Sequence, residues 1–365
     1  MPVYKTKTEK TKDNKIWYFK CNYRDIEGKI KQKKSKKFNT KEEATKEEAK
    51  FLLSIGETKS NKSMTFNNIY HEFILKKEDE VRPTTLIKIK NYYKYIENKI
   101  GDIQISNLTI EQIKKWKNYM NSTKLSCQYK NKIFKLLCSL NNYSQKYYNI
   151  STKVLDIEGK FNEKDIKKKE MLFFTIEEFN TFIAIIDSQM WKTLFEILFY
   201  CGLRQGELQA LMWKDINFEQ NTININKTLT TKLKGVKYSI FPPKTKSSYR
   251  IIPFTNTIKD DLMILYNIYS KLDGFSNNWF VFGGIRPTPE TTIQIHKNKY
   301  CELANVKKIR IHDFRHSCAS LLISKNADPV LVAKYLGHTD VSMTLNRYSH
   351  MYKSKLNEII KLIEN

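Results

Sequence analysis

The residues with the most chemistry to offer crowd the C-terminal stretch. Ile311-His312-Asp313-Phe314-Arg315-His316 is followed by Tyr335-Leu336-Gly337-His338 and then by Asn346-Arg347-Tyr348-Ser349-His350. Four of the six histidines fall between 312 and 350. Imidazoles donate hydrogen bonds and shuttle protons near neutrality. Guanidiniums meet phosphate oxygens with paired donors. A phenol activated by cationic surroundings can act as a nucleophile. In a basic chain these types together point to phosphoryl chemistry.

Two upstream stretches supply further charge. Gly202-Leu203-Arg204-Gln205-Gly206-Glu207 places an arginine just after a glycine turn, at the mouth of a helix. Glu207, three residues on, is spaced to orient nearby cations. Pro242-Pro243-Lys244-Thr245-Lys246-Ser247-Ser248 lies between two strand-like runs, Tyr238 to Phe241 and Tyr249 to Phe254. It is expected to be a hairpin tip that presents lysine. Taken singly each feature has an ordinary reading: Arg204 as a surface arginine, His338 as a helix-end residue, Tyr348 as one of 21 tyrosines. His316 and His350 read as structural or flanking groups. The weight lies in the joint order.

The positioning elements follow from local signals. Thr175 and Glu178 make a Thr-x-x-Glu capping box, and an apolar helix from Trp191 to Cys201 ends at Gly202. Asn221 to Asn226 alternates like a strand. A helix over Asp313 to Ser324 puts His312 and Arg315 on one side. Asp328-Pro329 starts another, with Pro at its first position, and Gly337 ends it and delivers His338. A further helix from about Asp340 carries Tyr348. Leu356, Ile359, Ile360 and Ile363 form an apolar stripe on a last short helix, suited to docking or to packing on its own domain.

The chain has 365 residues, room for two or three domains. Its 64 Lys+Arg against 38 Asp+Glu leave a formal charge of +26. That self-repulsion calls for a polyanion, and nucleic acid is the expected partner. Cys21, Cys127, Cys138, Cys201, Cys301 and Cys318 are scattered, with no CxxC pair, as in a reduced cytosolic protein. A polar, lysine-rich N-terminus and no apolar run near the ~20 residues of a membrane span argue for a soluble, cytoplasmic protein without membrane contact.

Residues 1–60 read as a small domain. Lys15 to Tyr23 is an aromatic-rich strand, Glu27-Gly28 a turn, and Lys29 to Phe38 the returning strand. Lys29, Lys31, Lys33, Lys34, Lys36 and Lys37 are candidate phosphate contacts; a solvated basic face is the alternative. A helix capped by Thr40 should close over the sheet with Ala44, Ala49, Leu52 and Leu53. Residues 64–148 read as four helices with basic and aromatic outer faces. Residues 149–170, polar and charged, read as a linker.

Gly-Leu-Arg-Gln-Gly-Glu at 202–207, Lys-Thr-Lys-Ser-Ser-Tyr-Arg-Ile-Ile-Pro at 244–253, His-Asp-Phe-Arg-His at 312–316, Leu-Gly-His at 336–338 and Tyr348 occur in one order. Together they resemble the tyrosine recombinase, or phage integrase, family, in particular integrases of mobile elements with an N-terminal arm-binding domain. The resemblance implies a multidomain, mainly α fold with small β-sheets. An arm-type DNA-binding domain would span 1–60, a helical core-binding (SAM-like) domain 64–148, a linker 149–170, and an α+β catalytic domain with a C-terminal docking helix 171–365. It implies that Arg204 and Arg315 bind the scissile phosphate, that His312 and His338 hydrogen-bond it, and that Tyr348 is the nucleophile. Lys244, with Lys246 as the alternative, would be the general acid, and Glu207 a supporting residue. The partners implied are double-stranded attachment sites and four protomers on two duplexes, with room for an accessory DNA-bending or excision factor.

This chemistry suits the residues. An attacked phosphodiester becomes five-coordinate and doubly charged, and two guanidiniums match that charge. Fixed cations make a metal unnecessary, and no acidic cluster is present to hold one. Attack by tyrosine stores the bond energy in a 3′-phosphotyrosine, so strand joining needs no ATP; no GxxxxGK(S/T) loop occurs. No cofactor is expected. Two rivals share parts of this reading: a type IB topoisomerase-like enzyme and a non-catalytic DNA-binding regulator of the same fold.

Overall fold

The computed structural model describes residues 3–6, 16–24, 30–56, 64–162, 171–233, 235–243, 245–342 and 345, the side chains of 53–56 and 246 excepted. Lys29, Lys244, Tyr348, His350 and the apolar stripe at 356–363 lie outside the described residues, as does the side chain of Lys246. The chain divides into two units, Met1–Lys167 and Lys168–Asn365. It is mainly helical with small antiparallel sheets. Among the described residues no helix is long and apolar enough to cross a membrane.

The first unit opens with strands β1 (Val3–Lys5), β2 (Trp17–Arg24) and β3 (Ile30–Lys34), paired antiparallel in that order. Strand alternation sends Phe19 and Tyr23 to one face. There helix α1 (Lys41–Gly56) covers them, with the Phe51 ring 6.1 Å from Phe19 and 5.4 Å from Tyr23. Thr40 Oγ1 accepts from the Glu43 N–H at 3.1 Å and starts the helix. The inward stripe runs Ala44, Glu48, Phe51; Ala49, expected to close over the sheet, is one step off that period and exposed. Lys31, Lys33, Lys34 and Lys36 are exposed and Lys37 is half-buried. Lys34 Nζ lies 5.0 Å over the Tyr18 ring and Lys33 Nζ 5.5 Å over Phe51.

Helices α2 (Phe66–Glu80), α3 (Pro83–Ile100), α4 (Ile110–Ser122) and α5 (Cys127–Tyr148) follow. Capping boxes at Thr65/Asn68 and Thr109/Gln112 begin α2 and α4, and Pro83 begins α3. Phe66, Ile69, Ile96, Ile113, Trp116 and Leu137 are fully buried between them.

The expectation of a linker over 149–170 needs correction. A short helix α6 (Val154–Glu158) lies within it, and Ile150, Leu155 and Phe161 belong to the helical core. Two asparagines of α5 make the backbone partners this requires. Asn141 donates to Thr152 O (3.1 Å) and accepts from Thr152 N–H (2.9 Å). Asn131 does the same for Phe161, at 3.0 and 2.8 Å. Residues 163–170 lie outside the described residues.

The second unit is built around α8 (Gln189–Tyr200), preceded by α7 (Ile176–Ala184) on its Thr175/Glu178 box and followed by α9 (Gln205–Gln209). Trp191, Leu194, Phe195, Ile197, Leu198 and Phe199 of α8 are all buried, as befits a helix surrounded by others. Strands β4 (Ile216–Asn217) and β5 (Thr222–Ile225) pair, then β6 (Thr228–Thr230) pairs with β7 (Ser239–Phe241), while β8 (Arg250–Pro253) returns to β5. The strands flanking 242–249 therefore belong to different sheets, and the lysine stretch is a crossover, not the expected hairpin tip. Pro242 and Pro243 cannot donate to a ladder, and a 3-10 turn at Lys246–Ser248 redirects the chain. Helices α10 (Asn256–Ser270), α11 (Glu290–Leu303), α12 (Ile311–Ser324) and α13 (Pro329–Leu336) complete the unit.

Candidate active site

Gly202 follows α8 at φ +60°, a conformation that favours glycine. A Cβ there would lie 2.5 Å from Leu336 Cδ2. The close approach of α8's end to α13's end is thus written into this position. Arg204 is then the N-cap of α9, and Glu207 sits at the third helical position, where it accepts from the Arg204 N–H at 3.0 Å.

Glu207 is buried and carries two guanidiniums. Arg204 Nη1 donates to Oε1 at 2.7 Å. Arg250, from β8, donates Nη2 to Oε2 at 2.9 Å and Nη1 to Oε1 at 3.2 Å. Burial by itself would raise the carboxyl pKa; the Arg250 bonds and charge, then Arg204, outweigh it and hold the group below the usual carboxylate range.

Helix α12 is anchored at its start. Arg310 caps it, and buried Asp313 accepts from the Arg310 N–H (2.8 Å) and from its guanidinium (2.8 Å to Oδ1). Lys297 of α11, almost wholly buried, donates to Ile309 O in the segment leading into α12. One turn in, Arg315 is only 2% exposed. Its Nη1 donates to Gly202 O at 2.8 Å and its Nη2 to Leu336 O. Burial, then the charge of Arg204, lowers its pKa to about 9, so it remains cationic at neutral pH. His312 is exposed on the first turn of the same helix, and its ring meets that of buried His316 edge-on at 5.0 Å.

Helix α13 begins as expected at Asp328-Pro329, with Asp328 Oδ1 accepting from Val330 and Leu331 N–H groups. It ends at Gly337, φ +69°, with His338 N–H donating to Ala333 O at 2.9 Å, and this places half-buried His338 directly after the turn. The last carbonyls of a helix have no partner within it. Here three consecutive ones each accept from a different arginine: Tyr335 O from Arg250 Nε (3.0 Å), Leu336 O from Arg315 Nη2, and Gly337 O from Arg204 Nη2 (3.0 Å).

Arg204, Glu207, Arg315 and the His338 turn are therefore brought together, with His312 on the helix that carries Arg315. Among the described residues three guanidiniums face one carboxylate, which leaves a surplus of positive charge held by fixed dipoles in a partly dry setting. Such an arrangement can bind a phosphate and favour the extra charge of its five-coordinate state. Arg250 and Lys297 are the residues that sequence reasoning passed over. Arg250 had a signal: with Ile252 it occupies the inward register of β8 while Ile251 points out, and an inward arginine requires a buried acid.

Comparison with known proteins gives the family. Residues 172–355 match the phage integrase family, and residues 3–55 match an arm DNA-binding domain. The chain is 29% identical over 354 residues to the ICEBs1 integrase of Bacillus subtilis, covering 90% of each. Its fold is similar to that of the Tn1549 transposon integrase in complex with a circular intermediate DNA. There the TM-score is 0.69 at 23% identity, over 82% of this chain and 100% of that one. It is also similar to lambda integrase in a tetramer bound to a Holliday junction, with a TM-score of 0.53 at 15% identity over 93% and 95% of the two chains. The chain belongs to the phage integrase family: it is a tyrosine recombinase, an enzyme of DNA strand cleavage and transfer.

Proposed function

We propose that Tyr348 attacks the scissile phosphate of a double-stranded attachment site, forming a 3′-phosphotyrosine and releasing a 5′-hydroxyl. Arg204 and Arg315 neutralise the charge that develops, and His312 and His338 hydrogen-bond the same oxygens. Lys244 protonates the leaving oxygen, with Lys246 as the alternative. Reversal of the step by a 5′-hydroxyl from another duplex exchanges strands without ATP. Integration and excision of a mobile element are the outcome, and the joined ends of a circular form of that element are one substrate.

The gathering of three arginines on the end of α13 and on Glu207 is the observation that supports this reading most. The remaining parts rest on the family and arm-domain matches. Residues 1–60 bind arm-type sites, with Lys29, Lys31, Lys33, Lys34, Lys36 and Lys37 on phosphates. The helical part from 64 onward clamps the core site with the catalytic domain. Four protomers assemble on two duplexes in the cytoplasm, the C-terminal stripe at 356–363 docks on a neighbour, and an accessory bending or excision factor sets direction.

The test is covalent trapping on a nicked suicide duplex cut from the DNA flanking the gene. Wild type should give a denaturation-resistant adduct, and Tyr348→Phe none. An adduct that persists in the variant would name another tyrosine. Tight binding without any adduct would favour the regulator, and cleavage without joining between duplexes the topoisomerase-like enzyme.

A further inference from the structure

Arg250 is charged, nearly buried and absent from the roles just assigned. Its side chain is 7% exposed. It makes four hydrogen bonds at three places: two to Glu207 of α9, one from Nε to Tyr335 O at the end of α13, and one from Nη1 back to Ser248 O, two residues before it, at 3.2 Å. Ser248 closes the 3-10 turn that follows Lys244, with its N–H on Thr245 O at 3.1 Å. Gly337 is fitted to the same side chain, since a Cβ there would lie 3.0 Å from both Arg250 Cδ and Ser247 O. A lone surface arginine has no use for such a setting, and a stability device would not need to join these three places in particular.

We propose that Arg250 is a positioning residue for strand cleavage, fixing Glu207, the end of α13 and the turn after Lys244 in one frame so that Arg204 and Arg315 converge on one phosphate. It acts through Glu207 and the α13 carbonyls, and the phosphate itself is left to the other two arginines. A planar fork suits this task, because its donors lie in one plane at fixed angles; a lysine ammonium can keep the charge but cannot span the same acceptors. The inference rests on the function proposed above.

A double-mutant cycle tests it in the full chain, reading the single-turnover rate of adduct formation on the nicked duplex together with affinity for that DNA and the melting temperature. Arg250→Gln should slow adduct formation by about 100-fold, the scale expected when reacting groups are misplaced by about an ångström, with DNA affinity nearly unchanged. Arg250→Lys should be slow as well, because charge without the fork does not restore the frame. In a Glu207→Gln background, Arg250→Gln should cost less than about 10-fold more, because the two residues act as one unit. The same full factor in both backgrounds would show that Arg250 acts independently of Glu207 and would overturn the proposal. So would a wild-type rate for Arg250→Lys, or a rate loss that merely follows a fall in melting temperature. No adduct from the wild type would instead refute the underlying reading, and this is seen before any variant is compared.

Discussion

Glu196 of α8 and Asp261 of α10 form a buried acid pair whose removal should change how stability depends on pH. Each residue is 5% exposed. Asp261 Oδ1 accepts from Gln189 Nε2 at 2.7 Å and Lys192 Nζ at 3.2 Å, so Asp261 is the anion of the pair. Glu196 Oε2 and Asp261 Oδ2 have no other partner among the described residues, and a single proton shared between them satisfies both. Burial first, then the hydrogen bond to Asp261 and its charge, raise the Glu196 pKa to about 8. The sign follows from linkage. The unfolded chain loses this proton near its ordinary pKa of about 4.3 while the folded chain keeps it to about 8, so stability falls by about 1.4 kcal/mol per pH unit across that window. Asp261 titrates the other way: its lowered pKa contributes stability that is present above its unfolded pKa and lost only in more acidic solution. Glu196→Gln keeps a donor toward Asp261 and removes the titration. The variant should match wild type below about pH 4, and exceed it by about 1 kcal/mol near pH 5, by up to about 4 near pH 7 and about 5 near pH 8. Urea unfolding of the full chain at these pH values, followed on the transition of the second unit, reads the difference. Parallel pH curves for the two proteins would refute the shared proton.

Two further substitutions test how particular positions are built. Gly337→Ala places a Cβ in a left-handed turn at a cost of about 1 kcal/mol, and 3.0 Å from the Arg250 side chain. Adduct formation should drop by more than that stability loss explains, when rate and melting temperature are measured on the same preparation. Asn141→Ala strips both partners from the Thr152 backbone; leaving its buried N–H and C=O unpaired should cost about 2–4 kcal/mol in the first unit. Calorimetry that shows less than about 0.5 kcal/mol, the size of an ordinary surface change, would return residues 150–161 to the role of a linker.

Much of the local structure is legible because its causes are local. The capping box at Thr175, Pro at the start of α13 and the glycines after α8 and α13 act over four or five residues, and each ends or begins a helix where those residues stand. What escaped depends on distant partners. Ile150, Leu155 and Phe161 follow neither a helical nor a strand period, and the asparagines that hold them lie on another helix. The crossover at 242–249 looks like a hairpin because its flanks are strands, yet β7 and β8 each pair with an earlier strand, not with each other. Helix α11 hides because Lys297 interrupts its inward stripe of Ile293, Tyr300 and Cys301.

The site's motifs were visible, but the reason they form a site lies in pairing that no motif records. Three guanidiniums this close repel one another, and Arg204 does lower the Arg315 pKa. Three full carboxylates would relieve that repulsion and also cancel the attraction for a phosphate. Among the described residues the three arginines use one carboxylate, Glu207, and neutral carbonyls, three of them at the negative end of α13 and the others Gly202 O and Ser248 O. Carbonyl dipoles hold the donors in place without neutralising them, so the surplus charge stays available to a phosphate. They are also already oriented before DNA arrives, which is when a preorganised site gains its advantage over water. On this argument the Leu-Gly-His stretch is as much an arginine holder as a source of His338. It follows that α13, which contributes none of the arginines, controls where all three point.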